Sequence, residues 1–205
     1  MISQQISILA SYGAQIILVV LMFLSVLVLG FFIERMIFFR RNFIKKRNEF
    51  IDRIRKTSEK SEISDLLHSF DTSETKIILT ALNDNSADSP ENFRNITAGI
   101  YEMEKQNWET FLMFFASTGA NAPFAGLLGT VLGLMQAFSD LALAANPDAT
   151  AAMNGISNAL ITTVAGITIA IPCVIIHNHF RIKIKRTASL LQSASDIIAS
   201  KKFFR

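Results

Sequence analysis

Three stretches of this chain are apolar over lengths that an ordinary buried helix does not need. The first runs from about Ile16 to Phe39 and carries no charge until Glu34 and Arg35, the second from about Phe111 to Phe138, and the third from Gly155 to Phe180. Neither of the last two holds an Asp, Glu, Lys or Arg. Crossing a ~30 Å hydrocarbon layer takes about 20 helical residues, and all three stretches are long enough. The pattern predicts an all-α membrane protein with three transmembrane helices.

Between the first two spans the pattern is polar and helical, with no strand alternation. Phe43, Phe50, Ile51 and Ile54 recur at helical spacing behind the basic cluster Arg40, Arg41, Lys45, Lys46 and Arg47, and read as a continuation of span one. Short helices are predicted around Ile63–Phe70 and Glu74–Leu82, followed by a loop from Asn83 to Ser89. Ser89, Pro90 and Glu91 form a helix start: a capping hydroxyl, a preset dihedral, and an acid against the positive helix end. The stripe Phe93, Ile96, Ile100 and Met103 then leads through Trp108, predicting one helix unbroken into span two. Beyond Phe180, Ile184, Leu191, Ala194 and Ile198 keep the same spacing, so span three is also expected to continue. Trp108, Phe203 and Phe204 read as packing or interfacial anchors.

Charge placement orients this layout. All 20 Lys and Arg residues lie between Arg35 and Lys105 or after Phe180. By the positive-inside rule the N-terminus and the second connection lie outside, and the central region and tail lie inside. The resulting division is residues 1–39 for a periplasmic N-terminus and transmembrane helix 1, and 40–110 for a cytoplasmic helical region. Transmembrane helix 2 takes 111–139, a periplasmic hairpin 140–154, transmembrane helix 3 155–180, and a cytoplasmic helical tail 181–205. Spans two and three thus extend into the cytoplasm. Topology also accounts for the net charge of +3 and the isoelectric point near 9.1, so no nucleic-acid surface is expected. Span one has neither a basic segment before it nor a small-residue cleavage site after it, and reads as a retained anchor. The lone Cys173 excludes an internal disulfide and a cysteine-based metal site; no metal or cofactor is expected.

The spans differ in kind. Span one is bulky Leu, Val, Ile and Phe, suited to lipid. Span two carries Gly119, Ala120, Ala122, Ala125, Gly126, Gly129 and Gly133, and span three Gly155, Ala159, Gly166 and Ala170. Small residues let helix backbones approach, so Gly126, Gly129, Gly133 and Gly166 are predicted packing positions within an assembly. Pro123 and Pro172 each remove a helix bond and are predicted kinks. Among the small faces sit Thr118, Asn121 and Thr130 on span two and Asn158, Thr162 and Thr163 on span three. Such groups need a neighbouring helix, a backbone carbonyl or pore water, and Thr130, Thr162, Thr163 and Asn158 are candidate ion-path residues. Glu34 beside Arg35 reads as a snorkelled pair at the membrane surface, so no span carries a titratable carboxylate at depth. An ion path would then need its carboxylate from a partner. His177 and His179 are read as interfacial, with an exit proton relay as the alternative.

The run Ala122–Phe138, APFAGLLGTVLGLMQAF, resembles the second-span signature of the MotA, TolQ and ExbB proton-channel family. Gly155–Phe180, GISNALITTVAGITIAIPCVIIHNHF, resembles its third span, including the alanine-isoleucine-proline step. Three spans with an outside N-terminus match the ExbB and TolQ branch, whereas MotA-type stators have four. The resemblance implies a pentameric homo-oligomer in the bacterial inner membrane around the single-span helices of an ExbD-like or TolR-like dimer bearing an essential aspartate. Such a motor would turn ion flow into force on a TonB-like or TolA-like periplasmic protein. The resemblance makes Thr130 and Thr163 the pore threonines. Asn158 stands where ExbB and TolQ usually carry glutamate, and it can bond but not carry charge. A divergent relative serving gliding motility fits the same residues. The rival from another class is a non-conducting oligomeric membrane scaffold. Three spans do not form the usual inverted repeat of a transporter, and no nucleophile, acid-base and orienting-group constellation marks an enzyme.

Overall fold

The computed structural model describes the backbone of residues 2–44, 46–143 and 149–201, and the side chains of 12–44, 46–142, 150 and 153–201. Lys45, the middle of the 140–154 connection, Phe203 and Phe204 lie outside the described residues. Seven helices and no strand are found among the described residues: α1 Ile2–Arg41, α2 Arg47–Lys56, α3 Lys60–Phe70, α4 Ser73–Leu82, α5 Pro90–Glu109, α6 Leu112–Leu143 and α7 Ala149–Ala199. Segments Tyr12–Arg41, Leu112–Ala142 and Met153–Ala199 are long and apolar enough to span a bilayer, which makes this a multi-pass membrane protein. The 51 residues of α7 are about 76 Å of helix, more than twice the hydrocarbon thickness.

The chain divides into two units, Met1–Phe32 with Phe111–Asn178, and Ile33–Thr110 with His179–Arg205. In the first unit α1 lays one stripe on α6 and α7. Leu21 packs with Ala122 and Ala170, and Val28, a helical repeat further on, packs with Phe115 and Cys173. The opposite face of α1, with Ile16, Val19, Phe23, Val26 and Leu29, is exposed. Such a face is stable only against lipid or protein.

The second unit is a bundle built on aromatic packing. Phe39 stacks on Phe180 at 4.8 Å and on Phe43 at 4.7 Å, and Phe43 meets the fully buried Trp108 edge-on at 4.9 Å. Ser89 caps α5 by accepting the Asn92 amide at 3.2 Å, as the start signal predicts. The tail of α7 buries Ile184, Leu191, Ala194 and Ile198, the four positions read from the pattern.

The fold departs from the sequence pattern at several points. Span one does not continue through the basic cluster: α1 ends at Arg41 and α2 begins at Arg47. The connection is held elsewhere in the chain. Ser73 donates its amide to the Asn42 carbonyl at 2.8 Å, and both carboxylate oxygens of the buried Glu74 accept the Ile44 amide at 3.2 and 3.3 Å. A backbone donor in a break between helices thus finds its acceptor on a side chain thirty residues away. The predicted unbroken helix from α5 into α6 is interrupted at Thr110–Phe111. On α5 the buried face runs through Phe93, Thr97 and Trp108, while Met103 is exposed. Arg35 does not snorkel: it is 5% exposed, pairs with Glu34 at 2.9 Å, lies over the Phe38 ring and donates to the Trp108 carbonyl at 3.4 Å. Burying a guanidinium is tolerable where it meets a carboxylate, a carbonyl and an aromatic face together.

Candidate functional site

The centre of the first unit is a seam between α6 and α7 made by absent side chains. A methyl group on Gly126 would lie 2.7 Å from the Thr162 carbonyl oxygen, and one on Gly166 would lie 2.5 Å from the Ala122 carbonyl oxygen. Both are below van der Waals contact with backbone, which cannot withdraw, so only glycine permits this approach. Gly129 admits Thr162, whose hydroxyl would be 2.8 Å from an added methyl, and Gly133 admits Ala159, whose Cβ would be 2.7 Å away. The same contact at the end of the seam is made by Gly155 against Ala137.

Close approach brings three hydroxyls onto one carbonyl. Thr130 lies 3.2 Å from the Gly126 oxygen, Thr162 3.0 Å and Thr163 3.2 Å. The Thr130 and Thr163 hydroxyls are in direct hydrogen-bond contact with each other, and Thr130 is 3.3 Å from Thr162. Thr162 has a second acceptor, the Ala159 carbonyl at 2.8 Å. Each hydroxyl has one proton to give and two lone pairs to accept with. With Thr162 donating across the seam to Gly126 and Thr130 to the Ala159 carbonyl at 3.3 Å, the Thr163 hydroxyl is satisfied by Thr130 while spare lone pairs persist in the cluster. This is a compact, neutral, hydrogen-bonding patch inside a segment otherwise devoid of charge.

The three threonines differ in access. Thr162 is 2% exposed and Thr130 7%, whereas Thr163 is half-buried and borders open surface. Thr162 therefore sits behind the pair, binding the two helices together, and of the three Thr163 is the most accessible from outside the seam. Composition could not separate these neighbours on α7. A helix turns about 100° per residue, so although both adjacent threonines reach α6, one is buried in the seam and the other lies at its edge.

This threonine and glycine seam lies within the stretch that known sequences share. The profile of the MotA/TolQ/ExbB proton channel family matches residues 69–193, more than half of the chain. The chain belongs to this family. An ExbB-like protein of Synechocystis is 30% identical over 181 residues, covering 86% of each chain. The Tol-Pal system protein TolQ of Pseudomonas aeruginosa is 40% identical over 77 residues, 38% of this chain and 33% of that protein. The biopolymer transport protein ExbB of Helicobacter pylori is 48% identical over 59 residues, 29% of this chain and 41% of its own length. The aligned part thus amounts to less than half of the latter two relatives.

The remaining candidates of this family member lie around the seam. Asn158 is exposed and borders a cavity of about 360 Å³ shared with Gln15, Gln136, Asp140 and Thr162. It is therefore one turn away from the threonine cluster and not in it. Pro123 and Pro172 are carried inside α6 and α7 without ending either helix. Each leaves the carbonyl four residues earlier, of Gly119 and Thr168, without its helical amide donor. Thr118 is buried, and Asn121 turns back onto its own helix, donating to the Ser117 carbonyl at 2.8 Å. His177 is half-buried, with Nδ1 3.0 Å from the Leu112 carbonyl, and His179 packs edge-on to Phe180. Among the described residues neither ring is paired with an acid.

Sequence reasoning missed two features. Gly13 lets α1 approach α6, since a methyl there would lie 2.6 Å from Leu132 Cδ1. Its signal was available, because it heads the seven- and eight-residue repeat through Leu21 and Val28. Asp140, assigned to a hairpin, belongs to α6, which runs to Leu143.

Proposed function

We propose that this chain is a ring subunit of an ion-driven motor in the bacterial inner membrane, of the ExbB and TolQ kind. Several copies, five by family resemblance, surround the single-span helices of an ExbD-like or TolR-like partner bearing an aspartate. Ion flow then drives force on a TonB-like or TolA-like protein outside. The observation that carries this reading is the Thr130–Thr163 hydroxyl pair, set in two spans with no charged residue between Leu112 and Ser139 or between Ala149 and Phe180. A cation crossing this region needs a counter-charge, and the chain offers no carboxylate there, only hydroxyls, carbonyls, carboxamides and the two imidazoles near Phe180. Such groups are suited instead to solvating a carboxylate that arrives on another helix, in its charged or its ion-bound form.

The exposed surface supports assembly. Phe124, Leu127, Val131 and Phe138 on α6 and Leu160, Val164, Ile167 and Ile171 on α7 are exposed in the single chain. Lipid or neighbouring subunits must cover them, and two such faces flanking a polar seam fit a ring whose inner wall is Thr163. Segregation of Lys and Arg supports an N-terminus outside and the charged unit inside.

The test is co-expression with a single-span, aspartate-bearing protein, purification of the complex, native mass measurement and reconstitution into liposomes. A complex containing several copies of this chain should pass ions under an imposed potential, and should stop when the partner's aspartate becomes Asn. A stable oligomer that passes no ions with any such partner identifies the scaffold instead.

A further inference from the structure

The seam between α6 and α7 does not end at the threonines. Gly126, Thr130, Gly133, Ala137 and Asp140 follow one another along α6 at steps of four and three, a single helical stripe. The first four meet α7 at Thr162, Thr163, Ala159 and Gly155. Asp140 is next in that register and lines the cavity of about 360 Å³ together with Asn158 of α7 and Gln15 of α1. Gln136, one turn earlier on α6, donates its amide nitrogen to Asp140 Oδ1 at 2.8 Å. At the other end of the cavity is Thr162, 3.3 Å from Thr130.

Two properties of this cavity point to a ligand. Its polar lining is three carboxamides, one hydroxyl and one carboxylate, a set of neutral oxygen donors with a single negative charge. Among the described residues lining it, Asp140 is the one titratable or charged group. A bound cation would offset that charge; hard oxygen donors are what a hard metal cation takes, and one negative charge among neutral oxygens matches a monovalent one.

We propose that this cavity is a capture site for a monovalent metal cation, with Asp140 as its charged ligand and the Asn158, Gln136 and Gln15 carboxamides as neutral ones. It would load ions one step before the Thr130–Thr163 pair. The proposal rests on the ion-path reading for its purpose, but binding is separable from transport.

The test uses the purified full complex and sodium as the probe. A carbodiimide modifies accessible carboxyl groups, and peptide mass spectrometry reads its attachment to Asp140. Sodium chloride should slow that labelling relative to choline chloride at equal ionic strength, and Asn158→Ala should weaken the protection while leaving Asp140 in place. In liposomes, Asp140→Asn should lose most sodium flux at normal complex levels. Moving the carboxylate across the cavity, Asp140→Asn with Asn158→Asp, should restore it. Equal labelling in sodium and choline overturns the site, and so does proton flux that depends on Asp140 without sodium protection. Sodium protection in a complex that passes no ions keeps the site and removes the motor reading. Ion flux that survives Asp140→Asn unchanged, with no protection, does the reverse.

Discussion

Thr130 on α6 and Thr163 on α7 join their hydroxyls across the seam, and both lie 3.2 Å from the carbonyl oxygen of Gly126. Two helices are thereby fastened by polar groups within apolar spans, and the same groups are the ones proposed to receive a partner's charged side chain. Fastening and receiving can be told apart by substitution.

Valine keeps the shape of threonine and removes its hydrogen bond. Losing one to a buried charged group costs about 1.5 to 3 kcal/mol, comparable to the roughly 2.3 kcal/mol per 100 mV that drives one charge across a membrane. Thr130→Val with Thr163→Val is expected to leave the oligomer intact, since Thr162 can still donate its one proton across the seam to the Gly126 carbonyl, yet to abolish ion-driven function. Serine at both positions should recover much of it. Normal activity of the double valine variant at normal complex levels would remove these residues from the ion path.

Close packing of α6 on α7 predicts a contrast between two glycines. An added methyl on Gly166 meets the Ala122 carbonyl at 2.5 Å, whereas one on Gly30 meets nothing within 4 Å. Gly166→Ala should destabilise the protein by about 1 to 3 kcal/mol, the usual cost of overpacking, and lower its thermal midpoint in detergent. Gly30→Ala should be neutral or gain about 0.5 to 1 kcal/mol from helix propensity. Equal behaviour of the two variants would mean that the helices do not touch at Gly166.

Glu74 sets a pH dependence. Burial raises its pKa above the ordinary 4.5, opposed by backbone hydrogen bonds including the one from Ile44, and by the nearby Arg47 charge. A raised pKa means that the folded chain holds the proton more tightly than the unfolded chain. The stabilising contribution is complete below the ordinary carboxylate range and is lost as pH rises through the raised value. Glu74→Gln keeps an oxygen for the Ile44 amide and does not ionise. Thermal unfolding in detergent from about pH 4 to 8 should therefore decline less steeply for the variant than for the wild type. Parallel curves would show that Glu74 does not titrate in this window.

Orientation can be read with cysteines introduced into a Cys173→Ala background. A cysteine at Asn146 should react with an impermeant thiol reagent applied outside spheroplasts, and one at Asn85 should react only after the membrane is opened. Reversed labelling would invert the topology drawn from the Lys and Arg distribution.

The three spans, the capped start of α5 and the residue types of the seam were all legible in the amino acids alone. These depend on local quantities: run length against bilayer thickness, a hydroxyl before Pro90, and glycines spaced to lie on one helix face. The family was legible too, because the seam's glycines and threonines fall within the shared stretch. Which of Thr162 and Thr163 is buried in the seam and which lies at its edge depended on how α7 is rotated about its axis, and packing between helices alone sets that rotation. The end of α1 at Arg41 likewise required Glu74 and Ser73, some thirty residues away, to take up the backbone groups of the connection. Asp140 shows the same division. Its charge marked it as the end of a span, and only the register of α6 on α7, set by glycine contacts from Gly126 to Gly155, brought it into a cavity with Asn158.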